Sequence, residues 1–250
     1  MRMVGVIPAR YMSSRLEGKP LMDILGKPMI QHVFERAQSS QLSEVIVATD
    51  DERIRKSVRG FGGKVIMTSA RHKTGTDRVA EAVANLDVEV VVNIQGDEPM
   101  VDPGLINECL SPFESNPHVQ MATVMQRLSE ESTYTDPAVV KVVRDLSGRA
   151  LYFSRSLIPF PRAMTNDFAV FEHIGIYAYT KQCLLKLSRL APTTLEEVEE
   201  LEQLRALEHG IPIQVVETQR HFESISVDTA ADLERVRKIM AGSWREGSLQ

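Results

Sequence analysis

Cysteine is scarce in this sequence of 250 residues: there are two, Cys109 and Cys183. They lie far apart and form no CxxC spacing, which argues against a disulfide scaffold and a thiolate zinc site. A reducing compartment is the simpler setting. Long apolar runs are missing too. No stretch approaches about 18 uninterrupted apolar residues, so no membrane span is expected. The beginning of the chain lacks the basic, then apolar, then small-residue pattern of a leader, so none is expected. The run Met3–Pro8 is too short for one and reads as a strand. Positive charge is not in excess: 29 basic against 34 acidic residues give a net charge of −5. A general nucleic-acid or anionic-membrane binder is therefore not expected. There is no internal repeat and no low-complexity segment.

What is present is an ordinary globular mix, 43% hydrophobic and 25% charged. A chain of this length buries well over half of its unfolded surface without covalent staples. The first half alternates short β-rich runs with helical periods. Met3–Ile7, Val45–Thr49, Val65–Met67 and Val88–Ile94 read as strands. Between them, Ile30, Val33, Phe34 and Ala37 mark one helix face, Ile54 and Val58 another, and Thr76–Val83 a third. This order implies an α/β fold: an open, mostly parallel, twisted sheet with helices on both faces. Ligands of such sheets sit at the carboxyl ends of the strands. The polar segments fall there, after Ile7, Val47 and Ile94.

The second half is more mixed. Met121–Gln126, Val139–Val143, Leu151–Phe153, His173–Tyr179 and Ile213–Val216 read as strands. Gln182–Leu190 and Leu195–Glu208 read as helices, the second with Thr194 as N-cap and Glu197 completing a capping box. Asp228 or Thr229 caps a final helix through about Met240, and the tail 242–250 is expected to fray.

Four segments carry chemistry. Pro8–Pro20 follows the first strand and holds Arg10, Ser13, Ser14, Arg15, Gly18 and Lys19. Backbone N–H groups and guanidinium groups there can cradle phosphates. The segment fails the P-loop pattern, because no Ser or Thr follows Gly18–Lys19. Its place at a strand's carboxyl end favours a triphosphate-gripping loop over a solvated basic one. Asn93–Pro99 offers Asp97 just past a buried strand, either as a Mg²⁺ ligand or as part of a turn. Ser226–Leu233 offers Asp228, which alone is better read as a helix cap. Ser69–Arg78 mixes hydroxyls, Gly75 and cations. It either closes over a nucleotide, with Arg78 neutralising phosphate charge, or caps a helix at Thr76. Elsewhere, His173 and Tyr177 share a strand face, and Glu199, Gln203 and Arg205 share a helix; taken alone, these are better read as core and solvated positions.

Taken together, the segments resemble the 3-deoxy-manno-octulosonate (Kdo) cytidylyltransferases, or CMP-Kdo synthetases, from about Val4 to Ile239. The resemblance rests on IPARYMSSRLEGK (Ile7–Lys19), VATDD (Val47–Asp51), MTSARHKTGTDR (Met67–Arg78) and NIQGDEP (Asn93–Pro99). It continues in DPAVVKVV (Asp136–Val143), ALYFSR (Ala150–Arg155), HIGIYAY (His173–Tyr179), LEQLRAL (Leu201–Leu207) and VDTAADL (Val227–Leu233). Nine segments in the family's order make it specific. Two departures stand out: Glu17 where the family has Pro, and Ser226 where it has Gly. Glu17 is expected to point outward.

The resemblance implies a nucleotide-diphospho-sugar transferase (Rossmann-like) fold, read as one domain over 1–250 with a dimerisation insertion near 151–177. It implies a cytoplasmic, Mg²⁺-dependent homodimer that transfers CMP from CTP to the C2 hydroxyl of Kdo and releases pyrophosphate, for lipopolysaccharide assembly. The alternative is a related sugar acid such as 8-amino-3,8-dideoxy-manno-octulosonate. By resemblance, Ala9, Arg10, Ser14, Arg15, Lys19, Ser69, Gly75, Thr76, Arg78 and Asp97 bind CTP. Asp97 and Asp228 hold the metal and, with Arg10 and Lys19, form the catalytic set. Gln95, His173, Tyr177, Glu199 and Gln203 bind the sugar acid.

Overall fold

A computed structural model of the chain describes residues 1–12, 16–162, 169–220 and 225–247. The chain packs as two compact units, Met1–Ile106 with Glu223–Gln250, and Asn107–Phe222.

In the first unit, β1 (Met3–Ala9), β4 (Glu44–Thr49), β5 (Lys64–Met67) and β6 (Val90–Asn93) form a parallel ladder in the order β6-β1-β4-β5. A two-stranded antiparallel ribbon, β2 (Asp23–Ile24) and β3 (Lys27–Pro28), lies between β1 and α1 (Met29–Gln38) in sequence. Val4, Val6, Ile7, Ile46, Val47 and Val90–Val92 have almost no exposed surface, as expected of parallel strands covered on both faces. The flanking helices are α1, α2 (Glu52–Gly60) and α3 (Gly75–Val83). On α1, Met29, Ile30, Val33, Phe34 and Ala37 form the buried stripe that the spacing foretold. Asp51 caps α2 by accepting the Arg53 N–H at 2.8 Å. Thr74, not Thr76, caps α3, accepting the Asp77 N–H at 3.1 Å; Thr76 lies buried in the first turn.

The last helix, α8 (Ala230–Gly247), packs Leu233 and Val236 against Ile24, Met29, Ile225 and Val227. Thr229 is its cap: its hydroxyl accepts the Asp232 N–H at 3.2 Å, and the Asp232 carboxylate takes the Thr229 N–H at 2.8 Å. The helix does not stop near Met240 but runs to Gly247. No proline interrupts it, and Ile239 and Met240 are anchored in the same cluster.

In the second unit, β7 (Met121–Arg127) pairs antiparallel with β10 (Phe171–Thr180) and parallel with β11 (Ile213–Glu217). The ladder β8 (Lys141–Arg144) and β9 (Ala150–Ser154) is antiparallel, and β8 also meets β10. The boundary between the units falls within α4 (Pro103–Ser115), a helix with proline at its start and again at Pro112 that is not among the elements expected from the sequence. Thr180 caps α5 (Lys181–Leu187).

The single helix expected over Leu195–Glu208 is two: α6 (Thr194–Glu199) and α7 (Gln203–Glu208). Glu200 breaks it in the left-handed region, at φ 52°. The Arg155 guanidinium, from a distant strand end, donates to the carbonyls of Glu199 at 2.7 Å and Glu200 at 3.4 Å. Those acceptors are thus engaged outside the helix. The cap also sits one residue earlier than expected: the Glu196 carboxylate, not Glu197, reaches back, to the Thr193 N–H at 3.2 Å.

Candidate active site

In the first unit, the carboxyl ends of β1 and β6 open on a cavity of about 530 Å³. It is lined by Pro8, Ala9, Arg10, Met12, Lys19, Pro20, Gly75, Gln95, Gly96, Asp97 and Asp228. The segments that line it are locked together by backbone. Any side chain at Gly96 would put its Cβ 2.8 Å from the Pro8 carbonyl oxygen, so the turn after β6 can touch the end of β1 only with glycine there. The Asp97 carbonyl accepts the Val227 N–H at 2.9 Å, which brings the Asp228 segment alongside.

The centre of the site is a cation between two carboxylates. Lys19 Nζ donates to Asp97 Oδ2 at 2.8 Å and to Asp228 Oδ1 at 3.1 Å. The lysine side chain is 14% exposed and the two aspartates 28% and 32%, so all three still reach solvent in the cavity. Asp228 is therefore more than the cap it resembles in isolation. Two carboxylates 131 positions apart in sequence meet on one positive charge, where a divalent cation and phosphate oxygens could exchange partners with the ammonium.

Not every expected CTP residue faces this cavity. Arg78 is completely buried and donates to Thr68 Oγ1 at 2.6 Å and Asp50 Oδ2 at 3.0 Å. It cross-links α3 to the end of β4 in place of adding charge at the phosphate edge. Ser69 is engaged in its own turn: its hydroxyl takes the Arg71 N–H at 3.1 Å, and its N–H donates to Glu81 at 2.9 Å. His72 also bonds Glu81. The Ser69 N–H and His72 hold the Glu81 carboxyl below its usual range despite partial burial. Ser14 and Arg15 lie outside the described residues. Glu17 is exposed, as expected, and its charge acts on Arg53.

In the second unit, β10 carries two of the expected sugar residues, His173 and Tyr177. A bulge interrupts β10 between Ile174 and Tyr177, yet the His173 and Tyr177 rings stay neighbours with centroids 5.2 Å apart. Phe153 meets His173 edge-on at 5.0 Å, and Thr123 Oγ1 lies 3.0 Å from its Nε2. Desolvation pushes His173 down to about 3, so the imidazole is neutral near pH 7. Burial likewise raises Tyr177 well above the usual phenol value.

One residue further along β9, Ser154 Oγ donates to Glu199 Oε1 at 2.7 Å, and the Arg155 N–H donates to Oε2 at 2.9 Å. Burial alone would raise the Glu199 carboxyl; these donors, with the Tyr152 hydroxyl, outweigh it and lower it. Gln203 opens α7, is 5% exposed, and its Nε2 has no hydrogen-bond partner among the described residues, a buried donor suited to a substrate oxygen. Gln95 lines the first unit's cavity. The sequence reading passes over Arg155 and Ser154 as site residues, although both lie in the segment ALYFSR. Lys141, in DPAVVKVV, is also missed: it is fully buried and donates to the carbonyls of Asp136, Val139 and Arg155 at 2.6–2.8 Å.

Residues 4–225 match the family described as cytidylyltransferase. A 3-deoxy-manno-octulosonate cytidylyltransferase from Geobacter sulfurreducens is 51% identical over 247 residues, covering 94% of this chain and 98% of that protein. The one from Syntrophus aciditrophicus is 50% identical, with 98% and 99% covered. Among solved structures, a CMP:2-keto-3-deoxy-manno-octonic acid synthetase complexed with CTP superposes with a TM-score of 0.92 at 44% identity, covering 97% of this chain and all of that one. A nucleotidyl transferase from Methanothermobacter, at 15% identity and a TM-score of 0.63, shares the fold.

Proposed function

The chain belongs to the 3-deoxy-manno-octulosonate cytidylyltransferases, and on that footing we propose that it transfers CMP from CTP to the C2 hydroxyl of Kdo, releasing pyrophosphate for lipopolysaccharide assembly. The observation that carries this reading is the meeting of Asp97, Asp228 and Lys19 in the cavity at the ends of β1 and β6. The relatives' shared substrate favours Kdo over its 8-amino analogue.

The donor set fits Mg²⁺. Asp97 and Asp228 supply two oxygen ligands, too few for a closed protein cage and suited to a cation that also takes phosphate oxygens. Bound there, Mg²⁺ would neutralise charge on the α-phosphate and favour loss of the sugar hydroxyl's proton. Lys19 then turns from the carboxylates to the triphosphate. Arg10 adds a second cation from the same loop, and Gly96 lets the loop backbone close on the cavity edge. Catalysis on this reading is positioning and charge neutralisation for an in-line displacement at the α-phosphorus.

The sugar acid is met by neutral or hydrogen-bonding groups. In the second unit, Gln203 Nε2 supplies a donor and Glu199 an acceptor. His173 takes part as a neutral hydrogen-bonding ring beside Tyr177, not as a proton donor of its own.

The exposed side chains of Leu151 and Phe160 (61% and 82%) support a homodimer formed through the segment near 151–177. No described helix is long and apolar enough to cross a membrane.

The test is pyrophosphate release with CTP and Mg²⁺, offering Kdo and its 8-amino analogue side by side, with an EDTA control. We expect turnover with Kdo that EDTA abolishes. Turnover with the analogue alone would overturn the substrate, and turnover unaffected by EDTA would overturn the metal.

A further inference from the structure

Lys19 must present its ammonium to the cavity from a segment that begins at Gly18. Gly18 is the left-handed residue, φ 69°, that starts the short 3₁₀ turn Lys19–Leu21. Its N–H is bonded to the Tyr11 carbonyl at 2.8 Å, so positions 11 and 18 form the base from which Lys19 extends. The Tyr11 ring packs on that glycine. A Cβ at position 18 would lie 3.1–3.2 Å from two ring carbons and the hydroxyl oxygen of Tyr11, closer than side-chain contacts ordinarily come. The ring in turn meets Arg53, whose guanidinium carbon stands 3.2 Å from the ring centroid.

Arg53 is not a loose surface side chain. Asp51 grips it with both carboxylate oxygens, from Nε at 3.0 Å and Nη2 at 2.6 Å. The same Asp51 caps α2 through the Arg53 N–H at 2.8 Å. Asp51 stands just beyond β4, so the guanidinium is fixed to the sheet by a paired, planar interaction. The charge of Glu17, the residue before Gly18, also acts on Arg53. A negative charge that looked out of place in a phosphate-gripping segment thus faces a cation on a neighbouring helix.

We propose that Arg53 is a positioning residue for CTP: stacked on Tyr11 and tied to Asp51, it fixes the Tyr11–Gly18 base from which Lys19 reaches the nucleotide. Arg53 is not among the described residues that line the cavity, so it acts through Lys19. The inference rests on the CTP-binding reading of the cavity. A guanidinium-aromatic contact at an exposed site changes an equilibrium modestly, by roughly 2- to 5-fold.

The test uses the full-length protein with the substitutions Arg53→Ala, Arg53→Lys and Tyr11→Phe. CTP binding is measured by calorimetry, and KM for CTP, KM for Kdo, kcat and the melting temperature are measured beside it. Arg53→Ala is expected to raise Kd and KM for CTP about 2- to 5-fold and leave KM for Kdo unchanged. Tyr11→Phe keeps the ring on which Arg53 stacks and loses only the hydroxyl packed on Gly18, so it should raise Kd for CTP less than Arg53→Ala does. Arg53→Lys keeps the charge toward Glu17 but not the paired grip or the planar stack, so it should fall between. Unchanged CTP affinity in Arg53→Ala, with a parent protein that binds CTP, overturns the positioning role. A rise in KM for Kdo as large as that in KM for CTP, together with a lowered melting temperature, also overturns it, because that marks a general structural effect. A parent protein that binds no CTP overturns the underlying reading instead.

Discussion

The two compact units hold their candidate site residues by opposite means. In the first, charge does the placing: Lys19 is pinned between Asp97 and Asp228, and Arg53 between Asp51 and the Tyr11 ring. In the second, the same task falls to desolvated rings and neutral donors. His173 sits between Phe153 and Tyr177, and Glu199 is held by a hydroxyl and a backbone N–H. On the proposed function, the difference follows from what each edge receives. A triphosphate brings several charges that must be matched, so mobile cations and carboxylates that exchange partners are useful. A sugar acid carries many hydroxyls and one carboxylate, and fixed hydrogen-bonding groups distinguish it from its analogues better than charge does. Buried unpaired donors such as Gln203 Nε2 gain most from a ligand oxygen, because they lack a partner without it.

The sharpest way to break this contrast is at the carboxylates. Asp97→Asn and Asp228→Asn should each lower the rate of pyrophosphate release by about 100-fold or more, the order expected when an electrostatic stabiliser is removed. Near-parental rates in both would remove the metal from Asp97 and Asp228. A smaller effect is expected in the second unit. Gln203→Leu should raise KM for Kdo about 10-fold, the value of one hydrogen bond to a charged group, with KM for CTP unaffected. A rise in KM for CTP of the same size would mean that the division of labour is wrong.

The smallest effect concerns pH. His173 is held neutral to about 3, while the same group in the unfolded chain takes a proton near 6.5. The unfolded state binds more protons below that value, so stability is full above about pH 6.5 and falls as pH drops towards 3. By pH 5 the loss amounts to at most about 2 kcal/mol. His173→Gln should flatten this part of a denaturant-measured stability profile between pH 6.5 and 5. A profile identical to the parent's would show that His173 is not desolvated as described.

Much of the first unit is legible in the sequence because its signals are local. The buried strands are β-branched, the α1 stripe has helical spacing, and the polar segments follow strands directly. The order of elements then places Arg10 and Asp97 at one sheet edge. Arg78 misled because an arginine in a Gly-Thr-Asp-Arg junction has the look of a phosphate ligand, whereas Thr68 and Asp50 claim it. The second unit is less legible. The break at Glu200 needs no glycine, since Arg155 takes the carbonyls from outside the helix. A buried Lys141 satisfied by three carbonyls leaves no trace in hydrophobic periodicity.

Periodicity and turn chemistry act over a few residues, so the residue order alone was enough for the parallel α/β core and the succession of chemical segments, while the pair of aspartates was legible only through the resemblance to the family. Only the tertiary structure decided which charges meet: Lys19 with Asp97 and Asp228, Arg78 with Asp50, Arg53 with Tyr11. Ion pairs and desolvation depend on distances through space between residues tens to hundreds of positions apart, and those distances exist only once the chain has closed.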